Sequence, residues 1–522
     1  MLIQDQTEVI EYLAVPSIHG TATVERIDTH SAIVFLAGER AYKLKRAVRF
    51  DYLDFSTVER RRAMCDAEVR LNRRTAPELY RGVVPITREP GGALALCGSG
   101  SPVDWVVEMK RFSQEALFDR LAAAERLELE LMPSLAAAIA KFHRIAEPRS
   151  DHGGKPGMEW VIEGNATGFA EYGQDVLDPL ACRRLTEASR AELDMRGALL
   201  DERRASGLVR HCHGDLHLRN IVLIEGRPTL FDGVEFNDEI ACTDVLYDLA
   251  FLLMDLWRRG LPRHANAVWN HYLEEAGDVS GTSLMPLFLS CRAAVRAKTS
   301  ATAARLQPDV RRQNEIQASA RQYLAMAEGL LHPPGPCLVA IGGFSGTGKS
   351  TLARSLAPSV GGVPGSVVIR SDLIRKRLSG VPPLERLGPE GYSSEMSERV
   401  YATVFERARM TIREGHSVIV DAVYARPGDR QGIEGVAADV AVPFVGIWLE
   451  APETTLIERV QQRRNDASDA NAAVIRLQHR DGTGVIGWHR VEASRSLGVV
   501  VDEASKYVHE LVPRAMARNL SS

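Results

Sequence analysis

Residues 343–351 read GFSGTGKST, directly after the apolar run CLVAIGG and running into STLARSLA. A strand that enters a glycine-rich loop, which then opens a helix, confines the second part of the chain to α/β architecture. Glycines let such a loop wrap a phosphate chain with its N–H groups pointing inward, and the helix N-terminus behind adds the positive end of a dipole. In this G-x-x-x-x-G-K-[ST] pattern Lys349 reaches the β- and γ-phosphates and Ser350 holds Mg2+. Gly343, Ser345, Gly346, Thr347, Gly348, Lys349, Ser350 and Thr351 are the nucleotide-binding candidates, with ATP as the expected ligand. The apolar runs CLVAIGG, SVVIRSD, SVIVDAV, FVGIWLE and LGVVVDE alternate with helical stretches, which predicts a parallel sheet covered on both faces.

Over about 336–510 these segments resemble the small P-loop kinases, the group that contains gluconate kinases, zeta toxins and polynucleotide 5′-kinases. The resemblance implies that Asp372, in IRSDLIRKRL, meets the acceptor hydroxyl and takes its proton, with Arg375 on the following helix. It implies a magnesium-side carboxylate at Asp421, in VIVDAV. It also implies a lid whose arginines, Arg459, Arg463 and Arg464 in TLIERVQQRRNDASDA, neutralise charge on the transferring phosphoryl. Arg459 and Arg463 are four apart and share a helix face.

Residues 211–220, HCHGDLHLRN, crowd three histidines and a cysteine together and raise the possibility of zinc. Adjacent side chains diverge on an extended segment, and no second ligand pair is evident elsewhere, which argues against a tetrahedral site. The stretch IVLIEGRPTLFD (221–232) reads as a hairpin turning near Gly226 and Pro228. Asn220 and Asp232 then fall at equal distances from the turn, side by side. An amide oxygen and a carboxylate are hard ligands suited to Mg2+. Asp215 is left to accept the proton of an attacking hydroxyl.

HGDLHLRN followed by FDGVEF resembles the aminoglycoside phosphotransferase family, relatives of the protein kinases, over about 25–325. The resemblance implies Asp215 as base and Asn220 and Asp232 as metal ligands. Asp248, in TDVLYDLAFLL, and His213 brace the loop, and His217 receives no catalytic role. The N-terminal third becomes the nucleotide lobe. Its strand lysine is Lys43, with Lys45 sharing the same parity, and Glu68 is the ion-pair partner on the helix 60–74. DWVVEMKRF (104–112) resembles the strand and hinge that receive adenine. No G-x-G-x-x-G precedes Lys43.

The 522 residues exceed one ordinary core. Three prolines and a glycine at 333–336, in LLHPPGPCLVAIGG, mark a boundary. The expected plan is a protein-kinase-like α+β domain over 1–329 (nucleotide lobe about 25–112, helical lobe about 113–329), a linker at 330–336 and an α/β P-loop kinase domain over 337–522. A net charge of −4 argues against nucleic acid as partner. Seven scattered cysteines without a CxxC pair, no signal-peptide pattern and no membrane-length apolar run fit a cytoplasmic protein. The expected function is an ATP- and Mg2+-dependent phosphotransferase with two nucleotide sites, acting on a hydroxyl of a small molecule. One alternative is a P-loop kinase regulated by a catalytically silent kinase-like domain. A second is a polynucleotide 5′-hydroxyl kinase, motivated by RSDLIRKR.

Overall fold

Near-continuous burial along residues 32–37 and 41–45 sets the first layer, a sheet covered on both faces. Strands β1 (Val24–Asp28), β2 (Ala32–Ala37), β3 (Arg40–Lys45), β4 (Tyr80–Arg88), β5 (Leu94–Leu96) and β6 (Ser101–Lys110) form one antiparallel sheet in the order β1-β2-β3-β6-β4-β5. One face puts Ile33, Phe35, Leu44 and Val106 against Val9 and Leu13 of the helix Thr7–Leu13. The other puts Leu36, Ala41, Val107 and Met109 against Cys65 and Val69 of the helix Val58–Asn72. Thr57 caps that helix by accepting from the Arg60 N–H. Inside it, Arg61 is buried in a bidentate pair with Asp104, and Gln6 donates to the same carboxylate. The computed structural model describes residues 4–50, 52–277, 279–462 and 467–512.

The predicted hairpin is β7 (Ile221–Ile224) and β8 (Arg227–Leu230). Glu225 and Gly226 have φ of 51° and 75°, the paired positive angles of a tight two-residue turn that matches strand twist. The register shifts the sequence expectation by one residue. The Asn220 carbonyl accepts from the Phe231 N–H, so Asp232 lies one position beyond the residue opposite Asn220.

The chain divides by contacts into two compact units, Met1–Thr167 with Arg190–Asp255, and Gly168–Ser189 with Leu256–Ser522. The proline-rich segment 330–336 lies inside the second unit. Its sheet is wholly parallel, in the order β10-β11-β9-β12-β13, from β9 (Leu338–Gly343), β10 (Val367–Arg370), β11 (Val418–Asp421), β12 (Phe444–Glu450) and β13 (His489–Glu492). Its strands are nearly continuous apolar runs because helices cover both faces. Residues 497–503 correct one expectation. LGVVVDE is not a strand but the start of the helix Leu497–Leu511, and β13 is formed by HRVE instead. Val500, Ala504 and Val508 recur every four residues and bury one helical face in the core with Val339, Ile341 and Val491, which outweighs the β preference of three valines.

β10 is an edge strand, and an uncovered edge invites pairing with another chain. Here the helix Pro262–Ala276 covers it with amide side chains. Asn270 accepts from the Val368 N–H at 2.7 Å and donates to the Ser366 carbonyl, while Asn266 donates to the Pro364 and Ser366 carbonyls. No helix among the described residues is long and apolar enough to cross a membrane. Asn270→Leu keeps the volume and orphans the Val368 N–H. We expect a loss of about 1–3 kcal/mol by urea unfolding, with selective loss of exchange protection at Val368.

Candidate active sites

β3 carries Lys43 and Lys45 on the face that meets the helix Val58–Asn72, so both reach one carboxylate. Glu68, whose side chain has no exposure, accepts from Lys43 at 2.8 Å and from Lys45 at 2.6 Å. Each lysine then takes a second acid: Lys43 bonds Asp232 at 2.5 Å, and Lys45 bonds the buried Glu235. Lys43 is therefore the lysine joined to the segment after the hairpin at the predicted metal-side aspartate. Burial pushes the Glu68 carboxyl upward, but Lys43 and Lys45 outweigh it and hold it at about 2. Burial opposes the charge on Lys43, and Asp232 and Glu68 more than restore it, leaving it well above the ordinary lysine value. Glu235 is raised because burial exceeds the pull of Lys45.

Asp232 sits at φ 62°, in the left-handed region rare for non-glycine residues. Its N–H donates to the Tyr80 hydroxyl at 3.0 Å. The next residue is clamped: the Gly233 N–H donates to Asn72 Oδ1 at 2.7 Å, one helical turn beyond Glu68. The strained aspartate is thus fixed from the helix that also fixes the lysine.

The loop 211–220 sends its conspicuous residues in different directions. His211 lies beside Asp238 and Cys242, where Arg149 donates to both the Asp238 carboxylate and the Cys242 sulfur. Cys212 is buried near His143 and Asp248. His213 bonds the Phe231 carbonyl through Nε2 at 2.9 Å, which ties loop to hairpin. Asp248 accepts from the N–H groups of His213 and Gly214 and meets His143 Nε2 at 3.1 Å. Asn220 Nδ2 donates to the Asp215 backbone carbonyl (2.9 Å) and to its carboxylate (3.0 Å). Sequence reasoning gave His217 no role. Its Nδ1 accepts from the Arg219 N–H, which assigns the proton to Nε2, 3.3 Å from the Asp215 carboxylate. Asp215 and Asp232 keep side-chain exposures of 41% each, while His217, His213 and Glu68 beside them are buried. The two carboxylates are the open groups of an otherwise buried cluster. His30, on the turn between β1 and β2, is a residue the sequence did not single out. Burial lowers its pKa, while Asp215 and Asp232 pull it upward.

In the second unit the phosphate loop leaves β9 at Gly343 and enters the helix Lys349–Leu356 after Gly348. Gly343, Gly346 and Gly348 have φ of 139°, 89° and 92°. A Cβ on Gly343 would lie 2.5 Å from the Leu449 carbonyl oxygen, and one on Gly346 would lie 2.8 Å from that of Leu456, so both positions need glycine twice over. Thr347 Oγ1 and Lys349 Nζ both donate to the Phe344 carbonyl, at 2.8 and 3.1 Å. The Thr351 N–H closes the first turn on the Gly348 carbonyl. Ser350 donates to the Asp421 carboxylate at the end of β11, and Arg370 lies 3.6 Å from the same carboxylate. Ser345 is held by Gln478, which accepts from its N–H at 3.0 Å and donates to its hydroxyl at 3.3 Å.

Asp372 opens the helix Ser371–Leu378 beyond β10. Its carboxyl is raised, first by burial and then by Asp421, against Lys349 and Arg370. Arg375 donates to the Gly391 carbonyl and to the Ser397 hydroxyl. Arg459, the lid candidate, donates from its guanidinium to the Ala493 carbonyl at 2.9 Å. Arg463 and Arg464 lie outside the described residues.

Residues 66–282 match the model of the phosphotransferase enzyme family, and residues 338–482 match that of an AAA domain. An uncharacterized protein of Mycobacterium tuberculosis, Rv2004c, is 31% identical over 459 residues, covering 86% of this chain and 88% of that protein. The chain belongs to this bacterial two-domain family. Its plan is a phosphotransferase domain of kinase-like fold followed by a P-loop kinase domain built on the five-stranded parallel sheet. Among solved structures, a choline kinase from Cryptosporidium parvum matches at 10% identity and TM-score 0.38, covering 59% of this chain and 88% of that one. A gluconokinase from Sinorhizobium meliloti matches at 20% identity and TM-score 0.26, covering 34% and 95%.

Glu68→Gln leaves two buried lysines short of a carboxylate, and we expect it to destabilise the first unit by about 3–5 kcal/mol in urea unfolding. The pH dependence has a defined sign. Glu68 is depressed on folding from 4.5 to about 2, so its contribution is complete above the unfolded value and is lost as pH falls from about 4.5 through about 2. Stability of Glu68→Gln across that window should lack this component.

Proposed function

We propose that this family member is an ATP- and Mg2+-dependent phosphotransferase with two nucleotide sites, one in each unit, each acting on a hydroxyl of a small molecule. The observation that carries the reading is the double engagement of Lys43 with Glu68 and Asp232, which joins strand, helix and post-hairpin segment at one ammonium. In the first unit, Asp215 takes the proton of the attacking hydroxyl as its oxygen bonds to the terminal phosphorus. The bond from that phosphorus to the nucleoside diphosphate breaks in the same displacement. Asn220 and His217 hold the Asp215 carboxylate in place. Lys43 meets phosphate oxygens from β3.

The residues fit a magnesium ion. Asn220 spends its amide N–H on Asp215, and its side-chain oxygen makes no hydrogen bond among the described residues, leaving a hard ligand, with Asp232 one position past its hairpin partner Phe231. In the second unit Ser350 and Asp421 form the matching pair. Magnesium bound with the nucleotide supplies charge neutralisation on the phosphates. There Asp372 is the base, Lys349 binds the phosphates, and the acidic net charge favours a small acceptor over a polynucleotide.

Phosphoryl transfer from labelled ATP to a panel of hydroxyl metabolites and a 5′-hydroxyl oligonucleotide tests this reading. Asp215→Ala and Lys349→Ala should each remove a different subset of labelled products, and loss of a general base should slow its own site by about 10²–10⁴-fold. If Asp215→Ala leaves all transfer intact while Lys349→Ala abolishes it, the first unit is regulatory and the two-site reading fails. Labelling of the oligonucleotide alone supports a polynucleotide kinase instead.

The raised carboxyl of Asp372 sets a further expectation. A base works deprotonated, so the activity that survives in Asp215→Ala should fall as pH drops through a value above the ordinary 3.8 of aspartate. Its pH–rate profile checks this.

A further inference from the structure

The second unit holds a basic cleft apart from the phosphate loop, although one lining residue, Arg370, also approaches Asp421. It lies beside the edge strand β10, between the helices Pro262–Ala276, Ser371–Leu378 and Ser394–Arg413, and its internal space is about 50 Å³. A single water needs roughly 10–15 Å³ on this measure, so the cleft has room for a small polyatomic ion. Asn270, Glu274, Arg377, Arg407 and Thr411 contribute to its lining.

Its charges do not balance internally. Arg377 donates to the backbone carbonyl of Glu274 at 2.6 Å rather than to its carboxylate. The Glu274 carboxylate instead lies 3.6 Å from His271 Nδ1. Arg407 is partly buried, and its guanidinium has no hydrogen bond or ion pair among the described residues, while its backbone carbonyl accepts from the Thr411 hydroxyl. Burial and the nearby Arg377 both press the Arg407 pKa downward, with Glu274 opposing. A guanidinium cannot relieve this by losing its proton, because it stays charged in proteins. Partly buried charge needs a counter-charge, and two forked donors around a small cleft match the oxygens of a tetrahedral anion.

We propose that this cleft binds a phosphate-type oxyanion, free or as a phosphomonoester, between Arg407 and Arg377. The site is separate from the phosphate loop, whose ligands are Lys349 and Ser350, and does not depend on the assignment of either catalytic base.

The test uses the full chain carrying Lys349→Ala, which weakens phosphate binding at the loop, titrated calorimetrically with inorganic phosphate and with glycerol 3-phosphate. We expect saturable binding that weakens about tenfold or more when Arg407→Gln or Arg377→Gln is added, as for loss of a charge-assisted hydrogen bond. Arg407→Lys should retain part of it. Thermal melting gives a second readout. In phosphate-free buffer Arg407→Gln should melt no lower than its parent, because it removes an uncompensated charge, and it should lose the parent's stabilisation by phosphate. Tighter binding of the ester than of phosphate identifies a phosphorylated metabolite as the ligand, and equal binding identifies the free anion. Binding indifferent to both arginine substitutions, or no binding of either probe to the parent, overturns the proposal. Should Arg407→Gln fail to fold, the exposed Arg377→Gln carries the same test.

Discussion

One carboxylate without access to water, Glu68, holds β3, the helix Val58–Asn72 and the segment after the hairpin together. It is charged only because Lys43 and Lys45 share it. Removing any partner would strand a buried charge, so β3, the helix Val58–Asn72 and the segment 232–235 are obliged to meet at one place. Asn72 extends this by one helical turn and clamps Gly233, which leaves Asp232 in its left-handed conformation with its carboxylate open. Such ionic clusters add little net stability over an apolar core of equal volume. What this one supplies is geometry, because the same bonds that satisfy Glu68 aim Lys43 and Asp232 at each other.

The second unit is organised by backbone rather than by an ionic cluster. There the phosphate cradle is backbone, and its shape rests on glycines at positive φ packed against the carbonyls of Leu449 and Leu456. β9 lies centrally in the sheet, with β11 on one side and β12 on the other, so the loop emerges where the strand order reverses. That is where parallel sheets open a crevice at their carboxyl ends. Asp421 arrives from β11 and Asp372 from beyond β10, which places three loops from neighbouring strands around one crevice.

Much of this was legible because it is local. The phosphate loop, the hairpin 221–230 and the helix around Glu68 follow from glycine, turn and periodicity signals within about 20 residues. The parity of Lys43 and Lys45 was also readable, and for that reason could not choose between them; both do reach Glu68, and only the acids at 232 and 235 distinguish their surroundings. Errors arose where two local rules conflict. LGVVVDE carries strand-forming valines on a helical four-residue spacing, and packing against Val339 and Ile341 decided for the helix. The spacing of Arg459 and Arg463 does not say which way their helix faces, and the Arg459 guanidinium donates to the Ala493 carbonyl.

By itself the sequence determined two local structures: a glycine-rich loop between a strand and a helix, and a hairpin with Asp215 and Asn220 before it and Asp232 after it. Tertiary structure alone decided which acid each lysine keeps and that His217 turns its Nε2 toward Asp215. It also decided that Asn266 and Asn270, in a stretch with no readable role, close the edge of a sheet about a hundred residues further on. The reason is range. Backbone conformation and side-chain parity are set by near neighbours, whereas an ion pair or an edge cap depends on a distance between segments far apart in the chain, and only the folded packing sets that distance.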